Sequence, residues 1–240
     1  MKNFEIYFEE TGYEFPMIFI EGTNDSTYLF GATDKVAISI RDFYISKYPV
    51  TQQLWENVMG NKPSDFKGKT KPVENVSFDD INNKEGFLEK LNSLNGKGYS
   101  SQKKNSFRLP TETEWEYAAR GGIHWRDDFM FSGSNTIEDV GWNSEIKSGT
   151  QTHPVGEKLP NQLSIHDMCG NVWEWCEDYY QPNINLIPKD GSPYLQETES
   201  RVLRGGCHHN WAVHCTVSKR YEIGQMFKDG CIGFRIAAYA

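Results

Sequence analysis

FRLPTETEWEYAARGG, residues Phe107 to Gly122, reads as a capped helix closed by a glycine pair. Thr111 is the cap, and Glu114 three residues on completes a capping box, in which each side chain satisfies the other's free backbone N–H. Trp115, Ala118 and Ala119 fall on one inward face, and Gly121-Gly122 ends the element. Working upstream, Ser77 with Asp80 repeats the box ahead of Ile81, Leu88, Leu91 and Leu94, a stripe that Gly86 interrupts. Thr51 caps a third helix bearing Leu54, Trp55, Val58 and Met59, stopped at Gly60. Residues 1–45 read as short strands, Val36–Ile40 and Phe43–Ile45 among them, with turns at Gly22, Asn24-Asp25 and Gly31. Downstream of Gly122 the helical signals fade. Asn171–Cys176, Arg201–Leu203 and Ile232–Ala237 are the strand candidates there. With no linker, the expectation is one α+β domain over residues 1–240, with a small sheet, few helices and long loops.

A net charge of -8 argues against a nucleic-acid surface, which needs a basic patch. Acidic pairs such as Asp79-Asp80 and Glu177-Asp178 default to solvated faces. The apolar run Phe15–Ile20 is far too short to span a bilayer, so no membrane insertion is expected. No charged-then-apolar leader opens the sequence, which makes the cytoplasm the expected compartment, with display at a surface left open. The five cysteines, Cys169, Cys176, Cys207, Cys215 and Cys231, are an odd number and read as free thiols. None sits in a CxxC pair, so the spacing offers no structural zinc site. No GxSxG turn and no phosphate-binding glycine loop is present, and the glycine pairs read as tight turns.

Further blocks follow the first in order: His153-Pro154-Val155-Gly156, Gly170-Asn171-Val172-Trp173-Glu174-Trp175, Arg201-Val202-Leu203-Arg204-Gly205-Gly206 and Gly233-Phe234-Arg235. Together with Lys47–Trp55 and Lys71–Phe78 they resemble the formylglycine-generating-enzyme, or sulfatase-modifying-factor, family over about residues 30–240. The resemblance implies a variant of the C-type-lectin fold. It also implies a choice of function, because the family holds copper-dependent oxidases of protein cysteine beside members with other activities or none. The family's copper cysteines stand four and nine residues after the Gly-Gly pair. Here those positions are Asn210 and Cys215, so one thiolate is missing. If the chain is an oxidase, Cys215 is catalytic, and Cys207 is the candidate for the second soft thiolate on Cu(I). His208, His209 and His214 stand nearby, although the plainer reading makes them loop residues pointing apart.

The resemblance further implies a structural calcium loop. Its ligands here would be Asp167, the carbonyls of Gly170 and Val172, and Glu174, hard oxygen donors that suit Ca²⁺. Residues 207–231 depart most from the family pattern. That stretch resembles the variable proteins of diversity-generating retroelements, which use the same fold to present altered residues on a fixed scaffold. The first reading is therefore a ligand-binding protein whose contacts are Cys207, His208, His209, Asn210, Trp211, His214, Tyr221, Ile223, Phe227 and Asp229. Its partner would be a protein or small molecule of unknown identity. The copper-dependent oxidase is the alternative. Trp115, Trp173 and Trp175 are expected in the core.

Overall fold

The computed structural model describes residues 2–94, 99–100, 106–146 and 150–240. The strands are β1 (Phe4–Phe8), β2 (Tyr13–Ile20), β3 (Tyr28–Phe30), β4 (Val36–Ile38), β5 (Phe43–Ser46), β6 (Tyr99–Ser100), β7 (Phe107–Arg108), β8 (Gly141–Trp142), β9 (Cys169–Gly170), β10 (Trp173–Tyr179), β11 (Arg201–Arg204), β12 (Arg220–Ile223), β13 (Ile232–Phe234) and β14 (Ala237–Tyr239). The helices are α1 (Gln52–Met59), α2 (Phe78–Asn82), α3 (Phe87–Ser93), α4 (Glu112–Ala119) and α5 (Ile137–Val140). One sheet runs β6-β1-β2-β5-β14-β7 and a second runs β12-β11-β10-β13; β3-β4 and β8-β9 form two ribbons. The α+β expectation of small sheets, few helices and long loops therefore holds. Among the described residues, no helix is long and apolar enough to cross a membrane.

Strand alternation splits the interior in two. Along β2, Phe15 and Met17 face a core shared with Leu54 and Trp55 of α1, Phe78 and Ile81 of α2, Phe87 and Leu91 of α3, and Trp175 and Phe234 of the second sheet. Ile18 and Ile20 face the other core, with the β3-β4 ribbon, Trp115 and Ala118 of α4, and Val202. Trp115, Trp173 and Trp175 are all buried, as expected.

The stripe after Ser77 forms two helices rather than one. At Gly86 a side chain would meet the Asn83 oxygen at 2.7 Å and the Ile81 oxygen at 2.9 Å, so only glycine lets the chain turn that tightly against α2. The apolar run Ile232–Ala237 also divides, and its halves join different sheets. Arg235 sits between them, fully buried, where its guanidinium donates to Glu174 at 2.6 and 2.9 Å and to the carbonyls of Ser46 and His166 at 3.0 Å.

The helix that opened the sequence reading is buried on every side. Thr111 caps it, and Glu114 closes the predicted box. Glu112 accepts from Arg204 and Arg220, Glu116 from Arg204 and Arg120, and Glu114 from Arg108. Amphipathicity does not foretell this, because pairing with arginines from β7, β11 and β12 lets carboxylates enter a core. Asp178, read as part of a solvated pair, is likewise buried; it accepts the N–H groups of Glu112 and Tyr194.

Candidate functional site

Strand β11 carries the chain through the core and delivers it to a turn at Gly205 (φ 95°) and Gly206 (φ 74°). A side chain on Gly205 would meet the Trp115 ring at 3.2 Å, and one on Gly206 would meet the Cys215 sulfur at 2.6 Å. The pair thus lets the following loop lie directly on the core. Asn210 closes that loop: its side-chain oxygen accepts from the Cys207 N–H at 3.0 Å, and its own N–H donates to the Cys207 carbonyl at 3.0 Å. The Ser144 N–H and hydroxyl both donate to the Asn210 carbonyl at 2.9 Å. The position that would hold the first copper cysteine therefore holds a loop clasp.

After the helical turn Ala212–His214, the chain runs along β12 at the edge of the second sheet and returns through residues 224–231. Between the two loops lies a cleft of about 340 Å³. Trp173, Leu203 and Ile232 floor it. These three also belong to the first core, so the apolar interior continues into the cleft. Leu203 pairs with Tyr221 across the sheet, and the Tyr221 ring stacks on Trp173 with centroids 5.2 Å apart.

Eight of the ten expected contact residues line this cleft: Cys207, His209, Asn210, His214, Tyr221, Ile223, Phe227 and Asp229. Trp211 stands outside the lining with 66% of its surface exposed, alongside exposed Val213 and Met226. His208 departs from the expectation. It is 3% exposed, with its ring against Phe66 and its Nδ1 3.0 Å from the Asn171 carbonyl. Burial holds its pKa below the ordinary histidine range. The sequence reading missed Trp173, Leu203 and Ile232 as cleft residues, because their apolar character marks them only as core; Lys219 gave no signal at all.

The two thiols expected for copper pack into different cores. Cys215 packs into the second core, where burial pushes its thiol up, and its sulfur lies 3.8 Å from the Trp211 carbonyl. Cys207 turns into the first core and meets Cys231 and His208 instead. The Cys215 sulfur lies 3.9 Å from the Cys207 carbonyl oxygen, yet the two thiols belong to different cores.

Two of the expected calcium ligands, Asp167 and Glu174, are buried side chains. Glu174 accepts from Arg235 on both oxygens and from the Trp115 indole N–H at 2.6 Å. A guanidinium already supplies the positive charge that Ca²⁺ would bring. Asp167 sits at φ 58° and accepts from the Gly156 N–H at 2.8 Å, while its other oxygen has no hydrogen-bond partner among the described residues. Burial, opposed by the Gly156 N–H, the Arg235 charge and the nearby Asn171 side chain, raises its carboxyl to about 6. Gly170 lies in β9, where its N–H donates to the Gly205 carbonyl, and the Val172 side chain packs in the interior.

Residues 16–240 match the family model of the sulfatase-modifying factor enzyme 1-like domain, which begins within β2 rather than near residue 30. The chaperone protein LppX of Paenibacillus barcinonensis is 34% identical over 228 residues, covering 79% of this chain and 77% of that protein. The formylglycine-generating enzyme of Streptomyces coelicolor is 34% identical over 151 residues, a match to 54% of this chain and only 46% of the enzyme's length. Among solved structures, Treponema denticola variable protein 1 superposes with a TM-score of 0.84 at 29% identity, covering 98% of both chains. PvdO from Pseudomonas aeruginosa gives 0.78 at 22% identity over 94% of both, a likeness of fold.

Proposed function

Since this chain belongs to the sulfatase-modifying factor enzyme 1-like family, and divides between two cores the thiols an oxidase would need together, we propose that it is a ligand-binding protein that displays residues 207–231 on a C-type-lectin-like scaffold. The carrying observation is convergence. Residues selected only because they break the family's sequence pattern come together around one cleft on a rigid sheet. Whole-length likeness to a variable protein supports the same reading. In it, the expected contact residues that line the cleft are the positions that differ between sister chains, while its apolar floor and the buried Arg204 and Arg235 networks stay fixed.

The occupant we favour is a protein surface. Trp211, Val213, Met226 and Phe227 present large apolar side chains to solvent within one short stretch, and aromatic and Met side chains of this kind anchor protein interfaces. A photo-crosslinking amino acid placed at Phe227, and separately at exposed Leu159 as a control, tests this on cells and extracts of the organism's surroundings. One discrete protein crosslinked from position 227 and not from 159 is the expected result. Equal labelling from both positions, or conversion of a Cys-x-Pro-x-Arg peptide to formylglycine with copper and oxygen, would overturn the reading.

A further inference from the structure

Beside the cleft two thiols and an imidazole meet. The ligand atoms of Cys207, His208 and Cys231 all lie within 4.8 Å of one another. Cys207 ends the Gly-Gly turn and Cys231 leads into β13, so the fold alone unites them. Both backbones are held. The Cys207 N–H donates to Asn210 at 3.0 Å, the Cys231 N–H donates to Asp229 at 2.8 Å, and the Cys231 carbonyl accepts from Trp173 at 2.8 Å. The imidazole is held too. Its Nδ1 faces a carbonyl, which can only accept, so Nδ1 carries the proton and Nε2 keeps the lone pair. A metal-bound histidine is commonly oriented in this way, with its second nitrogen donating to a carbonyl.

We propose that Cys207, His208 and Cys231 form a zinc site, with two thiolates and one imidazole as protein ligands and the fourth position open to the cleft. Two thiolates and an imidazole are a donor set that zinc takes readily, and three protein ligands leave one exchangeable position. With Zn–S near 2.3 Å and Zn–N near 2.0 Å, tetrahedral ligands sit roughly 3.5–3.8 Å apart. Small side-chain rotations bring the donors to that spacing. Both cysteines line the cleft, so the fourth position faces whatever the cleft holds and is filled by water or by a donor atom of the bound partner. Cys215 takes no part, because it belongs to the other core.

Cobalt titration of the reduced, chelator-treated protein tests the site. The expected result is a 1:1 complex with thiolate-to-cobalt charge-transfer absorption and tetrahedral d–d bands, both bleached by one equivalent of Zn²⁺. Cys231→Ser should weaken cobalt binding at least ~10-fold. His208→Gln keeps both thiols and should weaken and shift the bands, which serves as the second test if the serine variant fails to fold. Cys215→Ala should leave the spectrum unchanged. Absence of charge-transfer absorption in the reduced protein, or a spectrum indifferent to both Cys231→Ser and His208→Gln, would overturn the proposal. Because the readout needs no partner, it stands or falls separately from the ligand-binding function.

Discussion

Single side chains here are governed by what burial does to their charge. Asp167 holds its proton to about pH 6 in the folded chain, against roughly 3.9 when unfolded. Between those values the folded state binds more protons than the unfolded one, so stability falls as pH rises from about 4 to 6 and is flat above. About two pKa units correspond to roughly 2–3 kcal/mol. Asp167→Asn keeps an acceptor for the Gly156 N–H and tolerates the left-handed backbone, while removing the charge. Its urea midpoint should match that of the parent at pH 4 and exceed it at pH 7. A variant no more stable than the parent at pH 7 would show that the carboxylate has a partner worth its ionisation. Glu174 is buried too. Its carboxylate is tolerated at the centre because Arg235 and Trp115 supply three donors.

At the scale of elements, the Gly205-Gly206 turn does most to place the site. It must adopt positive φ twice while its backbone rests on Trp115 and Cys215. Gly206→Ala puts a methyl group where the Cys215 sulfur stands and forces a side chain into the left-handed region. A loss of roughly 1–3 kcal/mol is expected. The loop must also lift, so the cobalt complex should weaken along with stability. A thermal unfolding curve and the cobalt titration, measured on the same preparation, report both effects. The turn was legible from the sequence as a glycine pair, and the capping boxes at Ser77 and Thr111 appeared where the side chains had placed them. The break at Gly86 was visible only as an interruption, because the oxygens of Ile81 and Asn83 that forbid a side chain there come into place only on folding.

For the molecule as a whole, scaffold and surface are energetically separate. The interior is fixed by two apolar cores and by a buried network in which Arg204 and Arg220 serve Glu112 and Glu116. The cleft rim contributes little to that interior: Trp211 and Met226 are 66% and 70% exposed. Replacing Trp211, Val213 and Met226 together by Ser, with the crosslinker kept at position 227, should therefore shift stability by no more than ~1–2 kcal/mol, since exposed positions typically contribute within about 0.5 kcal/mol each. The crosslinked or captured partner should be lost entirely. A triple variant that melts far below the parent would mean that this surface is part of the fold rather than a surface built on it.

By itself the sequence determined the fold class, the family, the helix caps and the stretch that forms the cleft. Each of these is written in local spacing or in ordered motifs, and local spacing survives translation into structure. Only the tertiary structure decided which groups meet. It sent Cys207 and Cys215 into different cores, turned His208 inward, gave Glu174 to Arg235, and brought Cys231 beside Cys207. Those outcomes depend on the direction in which a glycine turn and two sheets aim side chains that lie far apart in the chain, and no spacing of residues along the chain encodes that direction.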